Sequence, residues 1–119
     1  MKAMGIHLKR AYDPPSPHDG TRILVDRIWP RGVTKERAAL DLWAKELAPS
    51  SALRKWFGHN PRRWEEFQRR YHAELEQHKV ELDDLREQAA TQTVTLVFGA
   101  KDRAHNQAVV LKQLLEKRT

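Results

Sequence analysis

The 119-residue chain contains no cysteine, which excludes a disulfide framework, thiolate zinc sites and a cysteine nucleophile. It has no apolar run of 18 residues, so no segment reads as a membrane span. Its opening, MKAMGIHLKRAY, carries only scattered apolar residues and does not resemble a secretory leader. Neither G-x-G-x-x-G nor a Walker loop occurs, which argues against dinucleotide and P-loop binding. H-E-x-x-H is missing too, and no serine stands in a nucleophile elbow. What remains is the expectation of a soluble, cytoplasmic protein, with residues 1–119 forming one domain.

Four Trp, three Phe and two Tyr supply enough bulk for a packed core. Charged residues make up 32% of the chain, so its surface is heavily solvated. Lys and Arg outnumber Asp and Glu by 22 to 16, giving a net charge of +6. Such a field attracts phosphate-bearing partners. From Arg54 to Glu87 the signs alternate, and Glu65–Arg69 and Glu66–Arg70 have the i,i+4 order of a solvated helix face. No zinc-finger, RNP or basic-zipper signature accompanies the charge. Six His are scattered, and the His72/Glu76 and Glu74/His78 pairs read as solvent-facing, so no metal is expected.

Ile6 to Tyr12 alternates with the period of a half-buried strand. Asp13-Pro14-Pro15-Ser16-Pro17 breaks it, and Ser16 before Pro17 is placed to cap one helical turn. Arg22 to Trp29 is a nearly continuous apolar run, the pattern of a central strand covered on both faces. Thr34 then predicts an N-cap, with Ala39, Leu40, Trp43 and Leu47 as the stripe of a helix ending before Pro49. Ser50 or Ser51 starts a short helix through Phe57, closed by Gly58. Asn60-Pro61 starts the next helix, whose apolar face is Trp64, Phe67, Tyr71 and Leu75. A further helix carries Leu82, Leu85 and Ala89. Val94 to Phe98 is a second buried strand, and a last helix buries Ala104, Ala108, Leu111 and Leu115. Strands separated by helices predict an α/β domain: a small, mainly parallel sheet of three or four strands with helices packed against it. The crossover between the first two strands is short for a parallel connection.

Ligands of open parallel sheets bind beyond the carboxyl ends of the strands. That rule selects Tyr12-Asp13, Arg27 to Gly32 and Gly99 to Asn106. Arg27 and Arg31 offer guanidiniums that grip phosphate or carboxylate bidentately, and Trp29 offers a stacking wall. Lys101 adds charge, and the turn from Lys101 to Asn106 enters a helix whose free N–H groups favour anions. Asp102 is placed to cap that helix, with His105 in its first turn. A histidine there is biased toward neutrality, as a general base requires. Each residue also has a plain structural role open to it. Arg31 could pair with a helix carboxylate, Asp26 with Arg22, and His105 could be a hydrogen-bonded structural imidazole.

Five blocks stand in order along the chain: Tyr12 to Pro17, Leu24 to Gly32, Glu46 to Ser50, Arg54 to His59 and Ala100 to Asn106. Together they resemble the YeaO-like family of small bacterial proteins, a domain-of-unknown-function family. The resemblance implies a compact α/β domain and no particular reaction. Longer relatives often carry Cys where this chain has Phe98, and close ones often carry His at the position of Gln107. What this chain retains is the Arg27/Arg31 pair and the Lys101-Asp102-His105-Asn106 turn.

The function expected is therefore an anion-binding cleft for a small phosphate, carboxylate or nucleotide. Arg27, Trp29, Arg31, Lys101, Asn106, Tyr12 and Asp13 would hold the ligand, and His105 or Asp102 would carry a proton if chemistry occurs. No cofactor is specified. The alternatives are a nucleic-acid-associated accessory protein using the basic surface and a non-catalytic interaction module using the helical layer.

Overall fold

The computed structural model describes residues 5–117. Four strands form one fully parallel sheet in the order β1-β4-β2-β3. They are β1 (Gly5–Arg10), β2 (Thr21–Leu24), β3 (Leu42–Trp43) and β4 (Thr93–Phe98). Five α-helices accompany them: α1 (Lys35–Ala38), α2 (Ser51–Phe57), α3 (Trp64–Leu75), α4 (Lys79–Thr91) and α5 (Gln107–Glu116). The apolar run at 94–98 is the central strand that its composition demands, with Val94 to Phe98 all buried. It sits between β1 and β2, pairing Leu8 with Leu96 and Ile23 with Leu96.

The two sheet faces divide the helices unequally. Val94, Leu96, Phe98, Ile6, Ile23 and Val25 meet the buried residues of α2, α3, α4 and α5 in one large core. Leu24, Val97 and Ala11 face the other way, under Trp29, Val33, Leu40 and Trp43. Along α3, Phe67, Tyr71 and Leu75 are fully buried, and Trp64 is half-buried beside them. Ring stacking continues that stripe, with Phe57–Phe67 centroids at 4.4 Å and Trp64–Phe67 at 5.7 Å.

Several local signals read from the sequence are realised. Ser16 caps a single 3-10 turn at Pro17–Asp19 with a reciprocal capping box. Thr34, Ser50 and Asn60 each accept a backbone N–H two or three residues on, and Gly58 ends α2 in the left-handed conformation. The short crossover from β1 to β2 passes over β4. Thr95 donates from its hydroxyl to the Asp19 carbonyl at 2.6 Å. A Cβ on Gly20 would stand 2.2 Å from the Thr93 carbonyl oxygen, and φ there is +64°. The crossover is that close because only glycine occupies the contact.

Four expectations are corrected. The stripe Ala39-Leu40-Trp43-Leu47 is not a helix. Ala39 ends α1 in the left-handed region, and the chain then extends so that Asp41 N–H bonds the Arg22 carbonyl and Ala44 N–H the Leu24 carbonyl, both at 2.8 Å. The open edge of β2 needed partners, and Leu42-Trp43 supplies them as β3. The run 22–29 is a strand only to Leu24, since the chain then leaves the sheet and exposes Ile28. Ala104 is exposed before α5 starts, and the cap of that helix is Asn106. Glu66, not Glu65, pairs with Arg69, and it also holds Arg70 at 2.9 Å.

Because Leu75 is only 1% exposed within the aromatic stripe, Leu75→Ala should cost about 2–5 kcal/mol through lost transfer and cavity formation. Chemical denaturation monitored by circular dichroism measures this directly. A loss under about 0.5 kcal/mol, typical of surface positions, would show that the stripe is not structural.

Candidate functional site

The loop after β2 turns toward the face that carries α1, and the loop after β4 turns toward the face that carries α5. Strand ends whose loops diverge leave a crevice between them, the usual ligand position of such sheets. A cleft of about 500 Å³ lies there. Its walls include Tyr12, Arg27, Trp29 and Arg31 from the first two strand ends, and Ala100, His105 and Asn106 from the third. The helical layer closes the remaining side through Arg54, Phe57 and His59.

The wall formed by residues 25–33 is pinned at several points. Trp43 donates from its indole N–H to the Asp26 carbonyl at 2.7 Å, and Trp29 does the same to Val33 at 2.6 Å. Tyr12 donates from its hydroxyl to the Arg31 carbonyl at 2.9 Å. Arg27 donates to the carbonyls of Pro49 at 2.9 Å and Ala48 at 3.2 Å. The Arg27 guanidinium thus lines the cleft while spending two donors on the segment leading into α2. On the opposite wall, Arg10 holds the turn after β4 through the Ala100 carbonyl at 2.8 Å.

The expected cluster of Arg27, Arg31 and Lys101 forms only in part. Lys101 is exposed and does not line the cleft. Arg54 supplies the cation on that side instead. Neither the Arg31 nor the Arg54 guanidinium makes a hydrogen bond or ion pair among the described residues. Asp13, expected near a ligand, lies outside the cleft and pairs with Arg103 at 2.9 Å. The Arg103 hydrogen bond, more than the bond from Arg10 N–H, holds the Asp13 pKa below the usual carboxylate range.

Asp102 and His105 do come together. His105 Nδ1 lies 2.9 Å from Asp102 Oδ2, while Asp102 Oδ1 accepts the N–H groups of Ala104 and His105. The bond to His105, followed by that to Ala104 N–H, lowers the Asp102 pKa. An ionised carboxylate only accepts, so Nδ1 carries the proton and Nε2 of a neutral His105 is left as the acceptor. Asp102 therefore caps the turn that presents His105, not helix α5. Trp64 packs edge-on against the imidazole, with centroids 5.2 Å apart. Asn106 is buried, accepts Val109 N–H and donates to the Asp102 carbonyl, so its role is to fix this turn.

Asp26 forms part of the cleft lining, and the structural bond to Arg22 that the sequence left open to it does not form. Arg22 is engaged elsewhere, with Asp19 at 2.6 Å. Asp26 accepts Gly99 N–H at 2.9 Å and the Gln107 side-chain amide. Burial pushes its pKa up to about 6, although the Gly99 and Gln107 bonds and the nearby Arg54 favour the charged form. Arg54 left no sequence signal beyond its place in a recognisable block, and Gln107 none beyond standing where close relatives often carry His, because the face each presents depends on how its helix docks. Among the described residues no group of three or more acidic or histidine side chains converges as metal ligands. No helix among them is long and apolar enough to cross a membrane.

The raised Asp26 pKa has a defined consequence for stability. Between about pH 4 and 6 the native state keeps a proton that the unfolded chain releases, so stability falls as pH rises through this window. The contribution is at most roughly 3 kcal/mol, at 1.36 kcal/mol per pKa unit. Asp26→Asn should remove it, leaving a variant more stable than the parent at pH 7 but not at pH 4. Denaturation midpoints across pH 4–8 test this, and a difference constant with pH would refute it.

Comparison with known proteins places this geometry in a family. A model described as "Inactive DUF488-N3 subclade" matches residues 5–119. The chain is 46% identical over 112 residues to the uncharacterized protein YeaO of Escherichia coli K12, covering 94% of this chain and 97% of that one. It is 41% identical over 113 residues to the uncharacterized protein Rv3073c of Mycobacterium tuberculosis H37Rv, covering 95% of each. No solved structure matches. The chain belongs to the DUF488-N3i family, and with it to the YeaO-like proteins.

Proposed function

We propose that the cleft binds a small anionic ligand, a phosphate or carboxylate compound up to nucleotide size. The observation that carries this reading is the pair Arg31 and Arg54, two permanent cations lining one cleft whose guanidiniums sit in no ion pair among the described residues, with the half-buried Asp26 as the acid near Arg54. Like charges brought together repel, and a bound anion is the simplest compensation. The volume of about 500 Å³ falls within the range of small-molecule sites, and Trp29 and Tyr12 give it apolar walls. The subclade's description as inactive favours binding over turnover. A second reading is acid–base chemistry on the bound ligand, favoured by the Asp102–His105 contact at 2.9 Å. In that reading Nε2 of His105 takes the proton and Asp102 positions the ring.

Asp26 couples binding to pH. An incoming anion beside its carboxylate is repelled, so binding should tighten as pH falls through about 6 and Asp26 takes up its proton.

Sulfate is the suitable probe, because its charge is constant between pH 5 and 8. At ten times Kd it should stabilise the fold by about 1.4 kcal/mol, a melting shift of several degrees for a domain of this size. Arg31→Ala or Arg54→Ala should abolish the shift, whereas Arg37→Ala, on exposed α1, should keep it. Asp26→Asn should show a smaller change in sulfate affinity between pH 5 and 8 than the parent. Equal shifts in all the arginine variants would mean general ionic screening and no specific site.

A further inference from the structure

The cations of the cleft do not stop at its edge. Arg54 to Arg63 reads RKWFGHNPRR, with four cationic side chains, one histidine and no acid. Arg54 and His59 line the cleft. Lys55, Arg62 and Arg63 are exposed beyond it, around the turn joining α2 to α3. The side chains of Lys55 and Arg62 have no hydrogen-bond or ion-pair partner among the described residues. Arg63 donates to the Trp56 carbonyl and lies over the Trp56 ring, 5.1 Å from its centroid, and it sits in no ion pair among the described residues. Elsewhere Arg69, Arg70, Arg86, Arg103 and Lys112 all sit in ion pairs. Other exposed cations such as Lys35, Arg37 and Lys101 also lie outside ion pairs among the described residues, but only here does a run of them without an acid continue as a track in sequence from a cleft-lining residue, Arg54, through the exposed α2–α3 turn.

A small anion accounts for Arg31 and Arg54 but leaves Lys55, Arg62 and Arg63 without a purpose. A ligand with phosphates repeated along a chain accounts for both groups. We infer that the cleft and this track together bind single-stranded nucleic acid, with one nucleotide in the cleft and the adjoining phosphates crossing Arg54 to Arg63. The inference rests on the anion-binding reading of the cleft. Single strands fit the shape better than duplex, because a cleft of about 500 Å³ admits one unpaired nucleotide and not a base pair held in a helix. A positive track beside aromatic walls, here Tyr12 and Trp29, is the general means of gripping a strand without reading its sequence.

The test compares thymidine 5′-monophosphate with di- and octathymidylate by competition and fluorescence anisotropy. Octathymidylate should bind at least roughly ten-fold more tightly than the mononucleotide. Its log affinity should fall with log salt at a slope of about −2, for three phosphates on a single strand. Lys55→Ala with Arg62→Ala should reduce octamer affinity roughly ten-fold and flatten the slope by about 1.4, while leaving the mononucleotide unaffected. Both positions are exposed, so the double variant should fold. Arg31→Ala should weaken both ligands. Equal affinity at every length, with the double variant silent, would overturn the strand and leave the cleft reading intact. Octamer binding indifferent to Arg31→Ala would overturn the entry of the strand into the cleft. If no length binds and sulfate does not shift the melting temperature either, the cleft reading falls and the strand falls with it.

Discussion

Strand β4 carries hydrogen bonds to β1 on one side and β2 on the other, and it is buried on both faces. β1 and β2 do not touch each other in the sheet order, so neither has an inner partner until the chain has passed residue 93. The helices α2 to α4 all precede in the chain the strand that anchors them. Native pairing in this sheet is therefore long-range, the property that slows folding and makes unpaired intermediates vulnerable. The same insertion forms the cleft. Placing β4 beside β2 brings Gly99 N–H to Asp26 and sets the two loops diverging from a common edge.

Charge is handled differently on the two sides of the sheet. Over the face opposite the main core, Asp19 is buried and receives Lys9 at 3.0 Å and Arg22 at 2.6 Å. Burial works against its ionisation, but bonds from Lys9, Ser16 N–H and Arg22 keep its pKa below the ordinary range. Arg22 completes its own shell on the Ala38 carbonyl. Here each buried charge has a partner, as a structural role requires. In the cleft the balance is reversed. Asp26 is hydrogen-bonded by neutral donors and its ionisation is resisted, while the guanidiniums of Arg31 and Arg54 sit in no ion pair among the described residues. Sequences that satisfy their polar groups elsewhere leave such imbalances mainly where a ligand completes them.

What could be read from the sequence follows the range of the forces involved. The caps at Ser16, Thr34, Ser50 and Asn60 and the close at Gly58 were legible because each depends on residues no more than four away. The continuous apolar run at 94–98 was legible because only a doubly covered strand needs it. Leu42-Trp43 was not, since its spacing also suits a helix and the deciding partner, the free edge of β2, lies about twenty residues away. The carboxyl-edge rule located Arg31, Trp29 and His105 correctly in one cleft. It missed Arg54, because which face of α2 overhangs the sheet is set by the packing of Leu53 and Phe57 into the core. It misplaced Lys101 and Asp13 for the converse reason. Both follow strand ends, yet the turn at Gly99-Ala100, held by Arg10, directs Asp13 to Arg103 and leaves Lys101 in solvent.

Preformation of the cleft follows from how its loops are spent. Residues 25–33 are irregular, and irregular backbone is ordinarily the most mobile part of such a domain. Here four side chains from outside or within the loop occupy its carbonyls or hold its flank: Trp43, Tyr12, Trp29 and Arg27. The Trp29 and Trp43 rings also meet edge to face at 5.3 Å, over Leu24 and Val97. Ordering costs that a ligand would otherwise bear are thus met during folding, which favours affinity without adding contacts. Phe98 belongs to the same logic. Its side chain lies with Leu96 and Val94 in the helical core, leaving the cleft edge to Gly99. A Cβ at position 99 would stand 2.8 Å from the Asp26 carboxylate, so the absence of a side chain there is what lets that carboxylate take the backbone N–H and remain part of the cleft wall.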